Sequence, residues 1–532
     1  MFMQKLRYAP VGIQSFSSVI EGNYVYVDKS QFIAEIEQPG MAYFLTRPRR
    51  FGKSLFISML QAYFEGRREL FKGLAIERIK AERGEEWQAR PVLKMDLNVG
   101  EYITAEDLKS VLNAHIEGWC DQFGIEKKFD SPSLDFAYII KFLYNKFGQK
   151  VVFLVDEYDK PLIATLEDLE LNDYYRKVLK AFYSVIKSSN DYIHLSFLTG
   201  ITKFSKVSIF SDLNNLYDLS FDRAYSSICG ITQEELEANF LPNIGEMARD
   251  YNVPCEKMIA MLKKKYDGYH FNEDLVDIYN PYSLCYAFRS KKLGDYWFES
   301  GTPTFMVKML ENHDFNIPDL EGGVALRTDD LDIYRMNYEV LTPFLFQSGY
   351  LTIKKYDANL NRYILSFPND EVKYAFVARL LKIYTRMLKN LRSDFSIEHF
   401  LSCMESGDID GVLTLMKALI ASIPYDSLSE EELSLREHNY QTAIYLIFTL
   451  LNQYVRSEVH SAKGRSDIEV ETASAIYIFE FKMEGVAEDA IEQIKTALYS
   501  QPHMASGKDI FLIGAVIDKK ERTLGEWKIE KN

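Results

Sequence analysis

Three residues near the C-terminus have the types and spacing of a metal-dependent hydrolytic site. Asp467 precedes the apolar run Ile468–Val470, and Glu480 and Lys482 lie at the end of a second run, Ile476–Phe481. Side chains two apart on a strand share a face, so Glu480 and Lys482 point the same way, and a hairpin brings Asp467 beside them. Two carboxylates and an ammonium suit a hard divalent cation and a phosphate. The pattern predicts phosphodiester hydrolysis, with a chance match of so short a motif as the alternative.

A second candidate site lies in the N-terminal third, where an apolar run, a polar loop and an amphipathic helix follow one another. This order is the context that a Walker A motif requires. Backbone N–H groups at the helix start would cradle phosphates, Lys53 would reach the β- and γ-phosphates, and Ser54 would bind Mg²⁺. Arg47 occupies the position of the motif's first glycine, so a chance match remains the alternative. The predicted nucleotide-binding residues of the loop are Arg47, Pro48, Arg49, Arg50, Phe51, Gly52, Lys53 and Ser54.

The run Val151–Asp159 has the form of a Walker B strand, with apolar residues that end in acids. A buried parallel strand would deliver these acids at its C-terminal edge. Asp156 is predicted to hold Mg²⁺ through water, and Glu157 to polarise the attacking water. Thr199, at the end of a later apolar run, is a candidate sensor of the γ-phosphate. The alternatives are a solvated acidic turn after the strand and a simple strand cap at Thr199.

Length, charge and cysteine usage exclude several classes of protein. A chain of 532 residues is too long for a single hydrophobic core, so two to four domains are predicted. A hydrophobic content of 47% excludes global disorder. A net charge of −15 argues against non-specific coating of nucleic acid. Five scattered cysteines without a CxxC pair predict neither disulfides nor zinc. No apolar run reaches the ~20 residues of a membrane span, and the N-terminus lacks a signal-peptide pattern, so we expect a cytoplasmic protein.

The middle of the chain predicts connecting modules. The stretch 232–292 has helical periodicity, with a turn at Tyr266–His270. We expect His270 to be packed or hydrogen-bonded, and Lys263–Lys265 to be a solvated helix face. Between residues 338 and 381 a helix, two strands and a helix predict a winged-helix-like module, for which interdomain packing is favoured over DNA contact.

Several blocks in one order make nearly the whole chain resemble a bacterial family that joins an AAA-ATPase-like region to a PD-(D/E)XK nuclease domain. The resemblance rests on YVDK, RPRRFGKS, DEYDKP, LNN, YDGYHF, YNP, WFESGTP, LFQSGYLT and GRSD…EFK. It implies an α/β multidomain fold: a P-loop NTPase parallel sheet, a helical connector, a winged-helix-like module and a restriction-endonuclease-like α/β domain. The expected boundaries are 1–225, 226–335, 336–395 and 396–532. In this family the loop itself reads RPRRFGK[ST], so Arg47 is the family's form.

The resemblance also implies roles for the C-terminal residues. Asp467 and Glu480 would bind Mg²⁺ or Mn²⁺, Lys482 would orient water or stabilise charge, and Glu437 on the preceding helix would complete the metal shell. Glu458 is a lesser candidate. The expected core strands are Val455–His460, Arg465–Val470 and Ile476–Met483, followed by a helix that carries Gln493 and Tyr499.

The leading hypothesis is an ATP-binding and ATP-hydrolysing protein whose nucleotide state regulates a metal-dependent nuclease, in defence or mobile-element biology. The expected ligands are ATP, Mg²⁺ or Mn²⁺, and DNA or RNA, with no membrane partner. AAA-like modules often form rings, which adds a homo-oligomer, and Lys203 and Arg223 are candidate arginine-finger equivalents. The alternative is a non-catalytic ATPase switch or scaffold whose nuclease-like domain binds nucleic acid or a protein.

Overall fold

The computed structural model of the protein describes two compact units. The N-terminal unit comprises Met1–Phe305 and Gly323–Val372, and the C-terminal unit comprises Met306–Gly322 and Lys373–Asn532. The four boundaries expected from the sequence stay a prediction. The described residues begin at 7 and exclude 204–208, 211–212, 214, 302–319, 321, 332–340, 387–396, 422–445, 447, 450–455, 460–467, 473, 483–484, 505 and 519–522.

The N-terminal unit is built on a five-stranded parallel sheet of order β2-β3-β4-β1-β5. Every residue of β3 and β4 is buried, as expected of parallel strands covered on both faces. Strand β4 separates β1 from β3, so the two predicted nucleotide motifs end on strands that are not neighbours. The fifth strand was not predicted. The strands are β1 Met41–Thr46, β2 Val92–Asp96, β3 Val151–Asp156, β4 Ile193–Gly200 and β5 Leu216–Asp218.

Helices cover this sheet and pack through aromatic side chains. The ring of Phe136 stacks on that of Phe182 with centroids 4.8 Å apart, and it contacts Phe153 of β3 at 4.6 Å. A capping box between Thr104 and Asp107 starts the longest of the helices before α8. The helices are α1 Phe16–Glu21, α2 Gln31–Ile36, α3 Lys53–Phe64, α4 Ala75–Arg83, α5 Ala105–Phe123, α6 Pro132–Phe147, α7 Lys160–Ala164 and α8 Leu169–Ser188.

The rest of the N-terminal unit has the predicted helical stretch and the predicted order of helix, hairpin and helix. A third strand, β6, pairs with β8 and was not predicted. The helices are α9 Gln233–Asp250, α10 Cys255–Tyr266, α11 Pro281–Ser290, α12 Tyr296–Gly301 and α13 Leu341–Ser348, and α14 Asp370–Arg386 begins in this unit and continues in the C-terminal unit from Lys373. The strands are β6 Val324–Arg327, β7 Thr352–Asp357 and β8 Arg362–Ser366, in the antiparallel order β6-β8-β7.

The C-terminal unit contains a mixed sheet of order β13-β12-β11-β10-β9. Strands β11 and β12 are parallel, and the other neighbours are antiparallel. Helix α17 connects the parallel pair and packs closely on it, because a Cβ at Gly514 would lie 2.5 Å from the carbonyl oxygen of Ala487. The elements are α15 Ile397–Ser406, α16 Ile409–Ala421, β9 Arg456–Val459, β10 Ile468–Glu471, β11 Ala475–Lys482, α17 Ala487–Thr496, β12 Asp509–Asp518 and β13 Thr523–Lys531.

Candidate nucleotide site and candidate nuclease centre

The phosphate loop connects β1 to α3 and encloses the ammonium group of Lys53. Gly52 precedes the helix with φ +97°, a conformation that side chains rarely adopt. The Nζ atom of Lys53 donates to the carbonyl oxygens of Arg47 at 2.9 Å and Pro48 at 3.0 Å, and the residue is 3% exposed. The loop therefore holds a cation beside the free N–H groups that begin a helix, as an anion site requires.

Arg47 stands where a Walker A motif has its first glycine, and its guanidinium points into the protein. It donates to the carbonyl oxygens of Thr46 at 2.9 Å, Ser220 at 2.8 Å and Tyr225 at 3.0 Å. Its Cζ lies 4.0 Å from the ring centroid of Phe271. Burial lowers the pKa of Arg47 to about 10, so the group stays charged near neutral pH. The sequence left two roles open for this charge, phosphate binding and bracing of a neighbouring domain, and the structure places the side chain beneath the loop and outside the lining of the cavity over it.

Residues distant in the sequence fix the next three positions of the loop. The indole Nε1 of Trp297 donates to the carbonyl oxygen of Arg49 at 3.0 Å. A Cβ at Gly349, where φ is +94°, would lie 2.6 Å from the Cβ of Pro48. The guanidinium of Arg50 lies 4.8 Å from the ring centroid of Tyr282. Two of the sequence blocks that carry the family resemblance, WFESGTP and LFQSGYLT, thus pack against the loop, and Tyr282 directly follows a third, YNP.

The two acids after β3 differ in environment. Asp156 is 4% exposed, and its Oδ1 accepts a hydrogen bond from Oγ1 of Thr199 at 2.8 Å. Glu157 has φ +53°, which is strained for a residue with a side chain. Burial raises the pKa of Glu157 above its ordinary value, and the charge of Lys53 opposes the shift. The structure thus brings Glu157 close to Lys53, while Asp156 and Thr199 form a bonded pair outside the cavity lining.

A cavity of about 330 Å³ lies over the loop. One part of its wall is polar and contains residues 49–54, Glu157, Asn98 and Lys160. The other part is mainly apolar and includes Pro10, Val25, Ile231, Phe240 and Tyr282. Apolar walls with a few converging polar groups are typical of cofactor sites, and this division fits the base and phosphates of a nucleotide. Asn98, Lys160 and the apolar wall were not predicted, although the YVDK and YNP blocks adjoin that wall.

At the candidate nuclease centre, the structure describes only part of the predicted set. Glu480 is 4% exposed and lies 3.7 Å from Nζ of Lys482. Gln493 of α17 joins them, since its Oε1 accepts from Lys482 and its Nε2 donates to Glu480. Asp467 and Glu437 lie outside the described residues, as does the side chain of Glu458.

Two observations bear on a metal at this centre. The Glu480 carboxylate, buried beside a cation, is the kind of ligand that Mg²⁺ or Mn²⁺ takes. Among the described residues, which omit Asp467, no group of three His, Cys, Asp or Glu side chains is close enough to hold a metal ion. Tyr499, expected on the same helix as Gln493, lies in the turn after α17 ends at Thr496, and packs in the apolar core.

The remaining candidates have structural partners. The ring of His270 is hydrogen-bonded on both nitrogens, to the carbonyl oxygen of Ile353 at 2.6 Å and to Asp277 at 2.7 Å. Lys203 is 4% exposed and pairs with Asp218 at 2.7 Å. The lysines of Lys263–Lys265 are ion-paired with Asp277, Asp370 and Asp295 respectively. Arg223 is 65% exposed and pairs with Glu273 at 3.5 Å and Asp274 at 3.4 Å.

Membrane insertion has no support in the helices that the structure describes, none of which is both long and apolar enough to cross a bilayer.

Comparison with known proteins gives the same two-part organisation. Residues 10–210 match a family model described as a predicted AAA-ATPase, and residues 435–527 match the PD-(D/E)XK nuclease superfamily. An uncharacterized protein in the vnfD 5′ region of Azotobacter chroococcum mcd 1 is 34% identical over 531 residues, which cover 98% of each chain. The chain therefore belongs to the family in which an AAA-ATPase-like domain precedes a PD-(D/E)XK nuclease domain.

Proposed function

We propose that this protein binds and hydrolyses ATP at the phosphate loop, and that its nucleotide state regulates a metal-dependent nuclease in the C-terminal unit. The observation that carries the proposal is the cavity over the loop, where Lys53, Ser54 and Glu157 meet an apolar wall. Cations and helix N–H groups fit phosphates, and the apolar wall fits a purine base.

At the nucleotide site the protein's own groups supply orientation and proton transfer. Lys53 neutralises phosphate charge, exchanging its carbonyl partners for phosphate oxygens. Glu157 accepts a proton from the attacking water, and its raised pKa moves it towards the range of an effective general base. Ser54, and Asp156 through water, would hold Mg²⁺, which balances charge on the phosphates when bound.

At the nuclease centre Glu480, Asp467 and Glu437 would hold Mg²⁺ or Mn²⁺. The bound metal supplies Lewis acidity and an activated water. Lys482 places a positive charge beside the scissile phosphate, and Gln493 fixes both Lys482 and Glu480 by its two hydrogen bonds. Gln493 therefore serves to orient the Lys482 and Glu480 side chains. The proposed substrate is DNA or RNA, in defence or mobile-element biology.

Regulation is supported by contacts that lead from the loop to α14. Trp297, whose indole binds the Arg49 carbonyl, donates its backbone N–H to Glu371 at 2.8 Å. Glu371 is fully buried and also accepts from Oγ of Ser283 at 2.8 Å. It lies in the first turn of α14, a helix whose residues from Lys373 onward belong to the C-terminal unit.

The test combines two reactions in one preparation. Purified protein is incubated with labelled DNA and RNA, with Mg²⁺ or Mn²⁺, with and without ATP, and phosphate release is measured in parallel. We expect Glu480→Gln and Asp467→Ala to abolish cleavage while ATP hydrolysis remains. Lys53→Ala should abolish hydrolysis and the effect of ATP on cleavage. Glu471→Gln, an ion-paired acid on the neighbouring strand β10, is the matched control and should cleave normally.

Two results would separate the alternatives. Cleavage that persists in both Glu480→Gln and Asp467→Ala would refute the assigned centre. ATP binding without phosphate release or cleavage would favour the non-catalytic switch or scaffold.

A further inference from the structure

Asp159 is a buried carboxylate two residues after Glu157, and it holds the chain that follows β4. The residue has no exposed surface. Its Oδ2 accepts three hydrogen bonds, from the backbone N–H of Ile201 at 2.9 Å, the backbone N–H of Thr202 at 2.7 Å and the hydroxyl of Thr202 at 2.6 Å. A single oxygen therefore joins the turn after β3 to the turn after β4.

The backbone around Glu157 is held in a strained form by neighbouring bonds. Its φ of +53° is left-handed, which persists only where the surroundings enforce it. The N–H of Tyr158 donates to the carbonyl oxygen of Thr199 at 2.9 Å. The N–H of Lys160 donates to the carbonyl oxygen of Glu157 at 3.0 Å. The hydroxyl of Tyr158 reaches the carbonyl oxygen of Thr202 at 2.6 Å.

The close approach of these two turns depends on Gly200. A Cβ at this position would lie 2.6 Å from Oδ1 of Asp159 and 2.5 Å from the ring of Tyr158. Real Cβ atoms do not approach other atoms so closely, so a side chain here would push the two turns apart. The glycine at position 200 of β4 thus leaves room for the Asp159 side chain.

We propose that Asp159 is a positioning residue for ATP hydrolysis: by fixing the turn 157–160 against Ile201 and Thr202, it holds the Glu157 carboxylate at the cavity. The inference rests on the proposed function, because it gives Glu157 the role of general base. It adds a residue that does not line the cavity and to which no role was assigned from the sequence.

The test compares two buried aspartates of the same unit. Asp135 is 1% exposed, and its Oδ1 accepts from the backbone N–H groups of Lys128 and Phe129, both at 3.0 Å. It belongs to α6 and does not line the cavity. Asp135→Ala therefore reproduces the loss of a buried carboxylate that caps backbone amides, without touching the Glu157 turn.

We expect Asp159→Ala to lower kcat for phosphate release about 100-fold, the scale of a misplaced catalytic group. Affinity for a fluorescent ATP analogue should stay within about threefold, since Lys53 and the loop are unchanged. Asp159→Asn keeps an acceptor for the three donors and should restore most of the rate. Asp135→Ala should melt earlier yet hydrolyse ATP normally. Amide exchange at 157–160 should rise in Asp159→Ala alone.

Other outcomes overturn the inference or the function beneath it. Wild-type kcat in Asp159→Ala, or an equal loss in Asp135→Ala, would remove the positioning role. If wild type binds ATP without releasing phosphate, hydrolysis itself fails, and unchanged exchange at 157–160 in Asp159→Ala would separately refute the hold on the turn. Should Asp159→Ala not fold, Thr202→Val decides, because it removes the hydroxyl that donates to Oδ2 of Asp159 at 2.6 Å. A lower kcat with raised exchange at 157–160 supports the hold on the turn, and wild-type values of both refute it.

Discussion

Replacing Arg47 with methionine tests whether this arginine stabilises the loop or binds nucleotide. The change removes the donor of three buried carbonyl oxygens, each of which then costs ~1–3 kcal/mol. Methionine also avoids the cost of burying a charge, which offsets part of this loss. That cost is about 3 kcal/mol, because burial lowers the pKa of Arg47 from 12.5 to about 10. The net loss is roughly 3 kcal/mol, and lowers Tm by roughly 6–12 °C for a domain of ~200 residues.

The assay is thermal melting without nucleotide, beside titration of a fluorescent ATP analogue. Arg50→Met is the matched control: Arg50 is exposed and its ring contact is worth ~0.5–1 kcal/mol, so melting should change little. We expect Arg47→Met to melt early, and Arg50→Met to bind ATP more weakly at nearly unchanged Tm. An Arg47→Met protein with wild-type Tm and tenfold weaker binding would refute the reasoning, because the guanidinium would then act on the nucleotide.

Three further changes test other contacts. Gly349→Ala adds a Cβ against Pro48 at positive φ, and should cost ~1–3 kcal/mol of stability and weaken ATP binding. Gly118→Ala is the control, because a Cβ at this helical position meets no other atom within 4 Å, and it should not lower Tm. An equal fall in Tm for the two variants would contradict the prediction. Burial raises the pKa of Glu371 to about 8, so the folded state binds an extra proton and stability falls between pH 4.5 and 8; melting of Glu371→Gln should show a shallower fall, and an identical slope would contradict this. Lys203→Met breaks a buried ion pair and should lower stability by ~3–5 kcal/mol; normal melting with lost hydrolysis would instead favour an arginine-finger role.

The sheet that carries the nucleotide motifs was readable from the sequence because its strands are long apolar runs. The apolar runs 41–45, 91–97, 151–155 and 193–199 predict four strands, and β1, β2, β3 and β4 lie within a residue or so of them. β5 has only three residues and partly exposed side chains, so it gives no such signal. Likewise β6 alternates in burial over only four residues, and pairing with β8 defines it.

The sequence predicts the site residues that lie within one short motif, but not those that reach the site from distant segments of the chain. Lys53 and Glu157 follow from their own short motifs. Asn98 and Lys160 reach the cavity through the ends of different strands, which only the strand order determines. The burial of Arg47 depends on carbonyl groups more than 170 residues away. A motif describes its own residues, and the partners that fix them lie outside it.

The partners of Arg47 also determine when the phosphate loop can reach its folded form during protein synthesis. Phe271, which covers its guanidinium, follows it by 224 residues, as the two positions show. At ~5–20 residues per second, the ribosome needs roughly 10–45 s to make this stretch. Throughout that interval the loop lacks the ring that covers its arginine in the folded unit. The phosphate loop should therefore reach its folded form late, only after Phe271 has been made, even though Lys53 is made early.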